Sequence, residues 1–265
     1  MNHQGKHTSG SGIAGMFDGI APTYDALNHV LSLGIDRLWR RRAIRQLQGL
    51  LHVQPEAVST LHSSLLTLNF LDVATGTGDL AIEAHRRIGA HILGIDISDG
   101  MLALARQKVE RAGLSEVITL RHEDCATLSL PSESMDAVIS AFALRNFAQL
   151  LPCLSQMERV LKPGAPAVVI DLCAPRHFPM KQLFHCYQHV LMPLCGRVIA
   201  HDKSAYTYLP ASMQAVAQGE DMAALFRQAG FTEVQYTYLF SGMCVMYTGL
   251  KNPCRGLSEK TTAQR

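Results

Sequence analysis

The sequence predicts an α/β fold built as a doubly wound, mostly parallel sheet. Between residues 67 and 172, short apolar runs typical of buried strands alternate with amphipathic helical patterns. The segment Phe70–Asp79, FLDVATGTGD, joins one such run to a helical pattern through a glycine-rich turn. Glycines there allow a ligand to approach the backbone, and the helix start offers free N–H groups. The two observations together indicate a fold that binds a nucleotide-like cofactor.

The central elements follow from hydrophobic period and from the residues that interrupt it. Strands are expected near 67–73, 91–96, 117–122, 135–140 and 166–172, and helices near 79–88, 99–112 and 149–162. The third helix should stop at Lys162-Pro163-Gly164, because proline and glycine cannot continue it.

The remaining chain predicts a cap, a lid and two late strands around this core. We expect one domain over 13–250, with an N-terminal helical cap at 13–50, the cofactor-binding core at 67–172 and a helical lid at 176–230. Two terminal strands over 231–250, joined at Ser241-Gly242, form a C-terminal antiparallel strand pair at one end of the sheet. Residues 1–12 and 251–265 are polar and are predicted to be disordered tails.

Composition excludes several classes of function. The hydrophobic content of 48% is ample for a core, and a net charge of +2 is too small to indicate nucleic acid as a partner. Seven scattered cysteines without a C-x-x-C pair argue against zinc and against a disulfide framework, so no metal is expected. The N-terminus is polar, and no run approaches the roughly 20 apolar residues of a membrane span. We therefore expect a cytoplasmic protein with reduced thiols.

The glycine turn alone is compatible with two cofactor classes. Its spacing tolerates a dinucleotide, since Ala81 takes the third glycine position. Asp79 favours S-adenosylmethionine. Its carboxylate would attract the cationic amino-acid end of that cofactor, whereas it would repel the negative pyrophosphate of a dinucleotide. Asp79 could otherwise simply cap the following helix. Asp96, at the end of the second strand, is placed to bind the ribose hydroxyls of either cofactor.

Three further segments carry a family resemblance. They are Met16–Trp39, with Tyr24, Asp25 and Asn28; Phe142–Phe147, FALRNF; and Arg159–Gly164, RVLKPG. With Ala205–Ser212 in the predicted lid, they resemble the ubiquinone/menaquinone biosynthesis C-methyltransferases over about residues 15 to 251. The resemblance implies a class I S-adenosylmethionine-dependent methyltransferase fold. It also implies methylation of a ring carbon of a polyprenyl quinol.

The sequence departs from that family at a few positions. The family usually has histidine at Asp36, glycine at Ala143, a second glycine at Ala165, and a Glu-x-Ser triplet at Asp171-Leu172-Cys173. Segment 51–66 is longer than expected. Asp171 keeps the charge of the usual glutamate, whereas Cys173 removes a hydroxyl expected near the substrate.

The resemblance implies a cofactor site made of the glycine turn and the ends of neighbouring strands. Thr77 would contact the methionine part, Asp96 the ribose, and Asp124 with Cys125 the adenine. Taken singly, Asp124 is also explained as a loop cap. The full set of expected cofactor-binding residues is Asp72, Thr75, Gly76, Thr77, Gly78, Asp79, Asp96, Ile97, Asp124, Cys125 and Ala141.

The same resemblance implies a catalytic group around Arg145 and Asn146, with Tyr24 and Asp25 closing over the pocket from the N-terminal cap. Arginine stays protonated, so Arg145 would hold a proton-accepting water and stabilise the quinol oxyanion. The structural alternative for Arg145 is an ion pair with a carboxylate such as Asp79. The alternative for Tyr24 and Asp25 is an ordinary helix surface.

The leading functional hypothesis is conversion of demethylmenaquinol to menaquinol. Alternatives are the 2-methoxy-6-polyprenyl-1,4-benzoquinol precursor of ubiquinone, an NAD-dependent oxidoreductase, and a non-catalytic partner in quinone synthesis. Because a polyprenyl tail is insoluble in water, we expect transient contact with the inner face of the membrane. Arg40, Arg41 and Arg42 would assist there, unless this basic run is only a solvated helix face. A homodimer is compatible with the sequence, which does not fix the assembly state.

Overall fold

The computed structural model describes residues 12, 14–15, 17–19, 21, 34–53, 68–175, 178–186 and 216–253. Its helices are α1 Ile35–Val53, α2 Asp79–Ile88, α3 Asp99–Arg111, α4 Leu150–Val160, α5 Met180–Cys186 and α6 Glu220–Ala229. Its strands are β1 Asn69–Val73, β2 His91–Asp96, β3 Ile118–His122, β4 Ala137–Ala141, β5 Pro166–Leu172, β6 Phe231–Leu239 and β7 Cys244–Lys251. The described N-terminal residues between 12 and 21 are helical.

One seven-stranded sheet runs through the described chain in the order β3-β2-β1-β4-β5-β7-β6. Strands β1 to β5 are parallel, and β7 is antiparallel to both β5 and β6. The predicted fold class is therefore confirmed, including the antiparallel pair at one end of the sheet. The strand order reverses between β1 and β4, which is where ligands bind in open α/β sheets.

Both faces of the sheet are covered by helices. Helix α1 buries Trp39, Ala43, Ile44, Leu47 and Leu51, which recur at helical spacing and pack with α2 against one face. Helices α4 and α6 cover the other face, where the ring of Tyr247 stacks on that of Phe226 with centroids 5.6 Å apart. Burial on both faces explains the continuous apolar runs of β1, β4 and β5.

Helix α2 begins differently from one of the alternatives given above. Gly78, with φ 83°, is the N-cap and makes no side-chain cap hydrogen bond, and Asp79 is the first helical residue. Asp79 is therefore not the cap, although its charge in the first turn still favours the helix dipole.

Several expected elements lie outside the described residues. They are Tyr24, Asp25 and Asn28 of the cap, segment 54–67, most of the lid between 187 and 215, and the outer parts of both tails. Where the structure describes the lid region, helices α5 and α6 occupy it.

Candidate functional site

A cavity opens at the carboxyl ends of β1, β2 and β4, beside the point where the strand order reverses. Its walls are largely apolar, with Asp96, Glu123 and Asp124 as acidic groups and Asn146 and Gln149 as amides. Six of the predicted cofactor residues line it: Gly76, Asp96, Ile97, Asp124, Cys125 and Ala141. The predicted catalytic residue Asn146 lines the same cavity.

Asp96 is held in place by two backbone donors. The Gly76 N–H donates to its Oδ2 at 2.8 Å, and the Ser98 N–H donates to its Oδ1 at 2.9 Å. A carboxylate has about four acceptor positions, so each oxygen keeps capacity for a further hydroxyl. Burial raises the pKa of Asp96 above its ordinary value, although these backbone hydrogen bonds oppose the rise. The arrangement suits a neutral diol such as a ribose.

Asp124 serves the local backbone and the cavity together. Its Oδ1 accepts from the Ala126 N–H at 2.9 Å, which caps a short 3₁₀ turn over Cys125–Thr127. The loop-cap interpretation is therefore correct, and Asp124 still lines the cavity. Cys125 is buried beside it, and its thiol donates to the Cys153 carbonyl at 3.6 Å.

The other predicted cofactor residues, Asp72, Thr75, Thr77, Gly78 and Asp79, lie in or beneath the turn and do not line the cavity. The Thr75 hydroxyl donates to Asp72 Oδ2 at 2.7 Å. Burial raises the Asp72 pKa to about 7. Asp72 Oδ1 is buried without a hydrogen-bond partner among the described residues. These residues shape the turn from behind.

Asp79 is neutralised from outside the cavity. Lys108 Nζ lies 2.8 Å from its Oδ1 and also donates to Thr77 Oγ1 at 2.8 Å, while Arg40 Nη2 lies 3.5 Å from its Oδ2. Two cations therefore already pair with Asp79, and its contact with the cationic end of a cofactor stays a prediction. Arg40 is also buried, so it is not available to lipid headgroups.

Arg145 pairs with Asp171 rather than with Asp79. Its Nη1 contacts Asp171 Oδ1 and donates to the Phe142 carbonyl at 2.7 Å, and its backbone N–H donates to Asp171 Oδ2 at 3.0 Å. The side chains of Arg145 and Asp171 are only 7% and 3% exposed. Arg145 Nε is buried without a partner in the described chain. An ion pair is thus confirmed for Arg145, but the partner named from sequence was wrong.

The structure adds cavity residues that sequence reasoning did not assign. Phe17, Phe142 and Phe147 line the cavity, and each lies within a segment quoted for the family resemblance. The sequence signal that could have indicated these three phenylalanines was their position in the same segments as the predicted site residues. Cys173, by contrast, is fully buried and its thiol donates to the Gly242 carbonyl at 3.0 Å. The hydroxyl that it replaces would therefore not line the cavity.

The residues present fit S-adenosylmethionine. Asp96 offers acceptors for a ribose, the apolar wall around Ile97 and Ala126 suits an adenine ring, and Asp124 offers an acceptor for its amino group. Among the described residues, no His, Cys, Asp and Glu cluster could hold a metal ion, and no helix is long and apolar enough to cross a membrane.

Comparison with known proteins adds four findings. The model of the ubiE/COQ5 methyltransferase family matches residues 4–251. A demethylmenaquinone methyltransferase of Bacteroides fragilis is 45% identical over 237 residues, covering 89% of this chain and 91% of the relative. One of Porphyromonas gingivalis is 41% identical over 241 residues, covering 90% and 92%. A solved structure from Thermotoga maritima, titled a possible histamine N-methyltransferase, aligns with TM-score 0.57 at 14% identity over 91% of this chain and 100% of that one. That last likeness concerns the fold alone.

Proposed function

Because the chain belongs to the ubiE/COQ5 methyltransferase family and is an S-adenosylmethionine-dependent C-methyltransferase, we propose that it methylates demethylmenaquinol at a ring carbon through the site around Arg145. Relatives of 41–45% identity carry the name of that reaction. The observation that carries the site assignment is the buried Arg145–Asp171 pair beside the cavity, with Arg145 Nε unpartnered. An NAD-dependent oxidoreductase is no longer tenable for a member of this family.

The chemistry asks little of the protein beyond orientation and charge. S-adenosylmethionine supplies a methyl group that is already activated by its sulfonium. A quinol ring carbon becomes nucleophilic when the neighbouring hydroxyl loses its proton. The methyl group then replaces the hydrogen of that carbon, and the ring carbon loses its proton as aromaticity returns. The site must therefore hold an oxyanion next to the cavity that binds the donor.

Arg145 is suited to that oxyanion. Asp171 and the Phe142 carbonyl fix its guanidinium through Nη1, which leaves Nε without a protein partner in the described chain. A buried donor of this kind needs an acceptor from water or substrate. Arg145 cannot itself accept a proton, so a water bound at this guanidinium takes the hydroxyl proton. Asn146, which lines the cavity, lies beside this position.

Mass spectrometry with a labelled methyl donor tests the reaction. Purified enzyme is given demethylmenaquinol in one arm and 2-methoxy-6-polyprenyl-1,4-benzoquinol in the other. We expect label in the menaquinol product. Label in the benzoquinol product alone would assign the ubiquinone precursor instead.

Variants of Arg145 test the site. We expect Arg145→Ala to lower kcat by about 10²- to 10³-fold, the usual effect of losing one oxyanion donor. The Kd for S-adenosylhomocysteine, measured by calorimetry, should stay within about threefold, because Arg145 does not line the cofactor cavity. Arg145→Lys keeps a cation beside Asp171 and controls for misfolding, and the exposed Arg111→Ala is the matched control. Full turnover by Arg145→Ala would show that the catalytic centre lies elsewhere.

We also propose that the enzyme works at the inner, cytoplasmic face of the membrane, where its substrate resides. The support is the insolubility of a polyprenyl tail and the exposure of Arg41 and Arg42 on α1. Flotation with anionic vesicles tests this with the double variant Arg41→Glu/Arg42→Glu. The double variant Arg106→Glu/Arg111→Glu on α3 changes charge equally and is the control. Unaltered flotation of the α1 variant would remove this part of the proposal.

A further inference from the structure

Arg40 connects helix α1 to the turn that follows β1. Its Nη1 donates to Asp36 Oδ2 at 2.6 Å, one helical turn away, and its Nη2 lies 3.5 Å from Asp79 Oδ2. The side chains of Arg40 and Asp36 are 10% and 4% exposed, so this charge is almost fully removed from water. A guanidinium can serve two carboxylates because its donors form a rigid planar fork.

The same guanidinium also contacts the turn that follows β4. Arg40 Cζ lies 5.5 Å from the centroid of the Phe142 ring, within the range of a cation–π contact. Trp39 packs edge-on against that ring from the same helix, with centroids 6.1 Å apart. Phe142 lines the cavity, adopts φ 63°, and its carbonyl accepts from Arg145. Arg40 therefore contacts Phe142, the first residue of the turn that follows β4 and carries Arg145.

Charge balance shows why Arg40 differs from an ordinary helix-surface arginine. Lys108 and Arg40 take the two oxygens of Asp79, and Asp36 takes the other side of Arg40. Two cations and two carboxylates thus form a neutral cluster behind the glycine turn. Buried ion pairs often add little net stability compared with apolar packing. The cluster is therefore more informative about how Arg40 positions its neighbours than about the stability of the fold.

We propose that Arg40 is a positioning residue for methyl transfer. By holding Asp79 on one side and the Phe142 ring on the other, it sets the distance between the cofactor turn and the turn that carries Arg145. This inference rests on the proposed function of Arg145. A fixed separation keeps donor and acceptor in line, and a misplacement of about 1 Å can cost on the order of a hundredfold in rate.

Arg40→Lys is the discriminating variant, because lysine keeps the charge beside Asp36 but loses the planar fork. We expect kcat to fall by about ten- to a hundredfold, while the Kd for S-adenosylhomocysteine and the urea midpoint stay near the wild-type values. Arg45→Lys, at an exposed position further along α1, is the matched control and should change none of these quantities. Phe142→Leu leaves both ion pairs intact and should lower kcat without adding to the loss in Arg40→Lys.

Trp39 supplies a readout that does not depend on turnover. It is the only tryptophan of the chain and touches the Phe142 ring, so its fluorescence reports on this contact. We expect Arg40→Lys to alter the Trp39 emission of the folded protein, and the control Arg45→Lys to leave it unchanged. Wild-type emission in Arg40→Lys would count against the proposal.

The outcomes separate this inference from the proposed function. If the wild-type enzyme fails to label demethylmenaquinol, the proposed function fails, and Trp39 emission still tests the positioning contact. If the wild type turns over and Arg40→Lys matches its kcat, the positioning role is overturned. Loss of folding in Arg40→Lys, or a parallel loss of cofactor affinity and kcat, would also overturn it, since Arg40 would then serve stability or binding alone.

Discussion

Asp72 makes the stability of this protein depend on pH in a direction that can be measured. It lies on β1, is 1% exposed, and accepts one hydrogen bond at Oδ2 from Thr75. Burial raises its pKa from 3.8 to about 7; the nearby Asp96 charge adds to the rise, and Thr75 and Arg40 oppose it. Replacement by asparagine removes the ionisation and keeps an acceptor for the Thr75 hydroxyl.

The sign follows from the proton count. Between pH 4 and pH 7 the folded protein holds a proton on Asp72 that the unfolded chain has released. The contribution of Asp72 to the free energy of unfolding is therefore fully present below pH 4 and is lost as the pH rises to about 7. The loss is about 4 kcal/mol in total, or roughly 1.4 kcal/mol for each pH unit in this range. The Asp72→Asn variant should not show this loss of stability as the pH rises.

Urea unfolding of the cofactor-free protein at pH 4.5, 5.5, 6.5 and 7.5 measures this difference. The free energy of unfolding of Asp72→Asn, relative to wild type, should rise steadily across the series. Asp96 is also buried with a raised pKa, but it titrates in both proteins and largely cancels. Asp221→Asn, at an exposed carboxylate on α6, is the control and should follow the wild type. If the wild-type and Asp72→Asn curves stay parallel, Asp72 ionises as an ordinary carboxylate and the reasoning is refuted.

Three further predictions concern single contacts. Asp96→Ala should weaken S-adenosylhomocysteine binding by about ten- to a hundredfold in calorimetry, because hydrogen bonds to a charged acceptor are lost. Because the pKa of Asp96 is raised, the affinity of the wild-type protein should also fall as the pH decreases, already at pH values above 3.8. Asp171→Asn should lower the free energy of unfolding by about 3 kcal/mol in urea, since it leaves the buried Arg145 cation unpaired; a loss below 1 kcal/mol would contradict this. Gly94→Ala should cost about 1–3 kcal/mol by the same assay, because its Cβ would lie 2.8 Å from Leu120 Cδ2; an unchanged urea midpoint would show that the contact relaxes freely.

The regular elements could be predicted because their signals are local. The run His91–Asp96 and the helix Asp79–Ile88 were bounded as observed, since glycine and charged residues mark their ends. The order of the sheet is not local. The Ser241-Gly242 turn indicates that the last two strands pair, but only the fold shows that β7, rather than β6, lies beside β5. In the sheet, Tyr247 and Met246 of β7 pair with Val169 and Ile170 of β5.

In the candidate site, too, local features could be predicted from the sequence and long-range contacts could not. Asp96 and Asp124 follow predicted strands, and carboxyl ends of parallel strands meet at one edge, so their convergence could be predicted. The partners of Arg145 and Asp79 could not. Asp171 is 26 residues from Arg145, and Lys108 is 29 residues from Asp79. The first pair depends on β4 lying beside β5, and the second depends on how helix α3 packs beside the glycine turn. No periodicity in the sequence predicts either arrangement.

Backbone strain marks the same edge of the sheet. Ala74 and Phe142, directly after β1 and β4, both line the cavity and have left-handed φ values of 53° and 63°. Such a conformation costs a non-glycine residue about 1–3 kcal/mol, so surrounding contacts must hold it. The Phe142 N–H donates to the Ile170 carbonyl at 2.7 Å, and its own carbonyl accepts from Arg145. The strained turn and Arg145 therefore constrain each other, and a substitution that relaxes the backbone of Phe142 should also change the orientation of the Arg145 guanidinium.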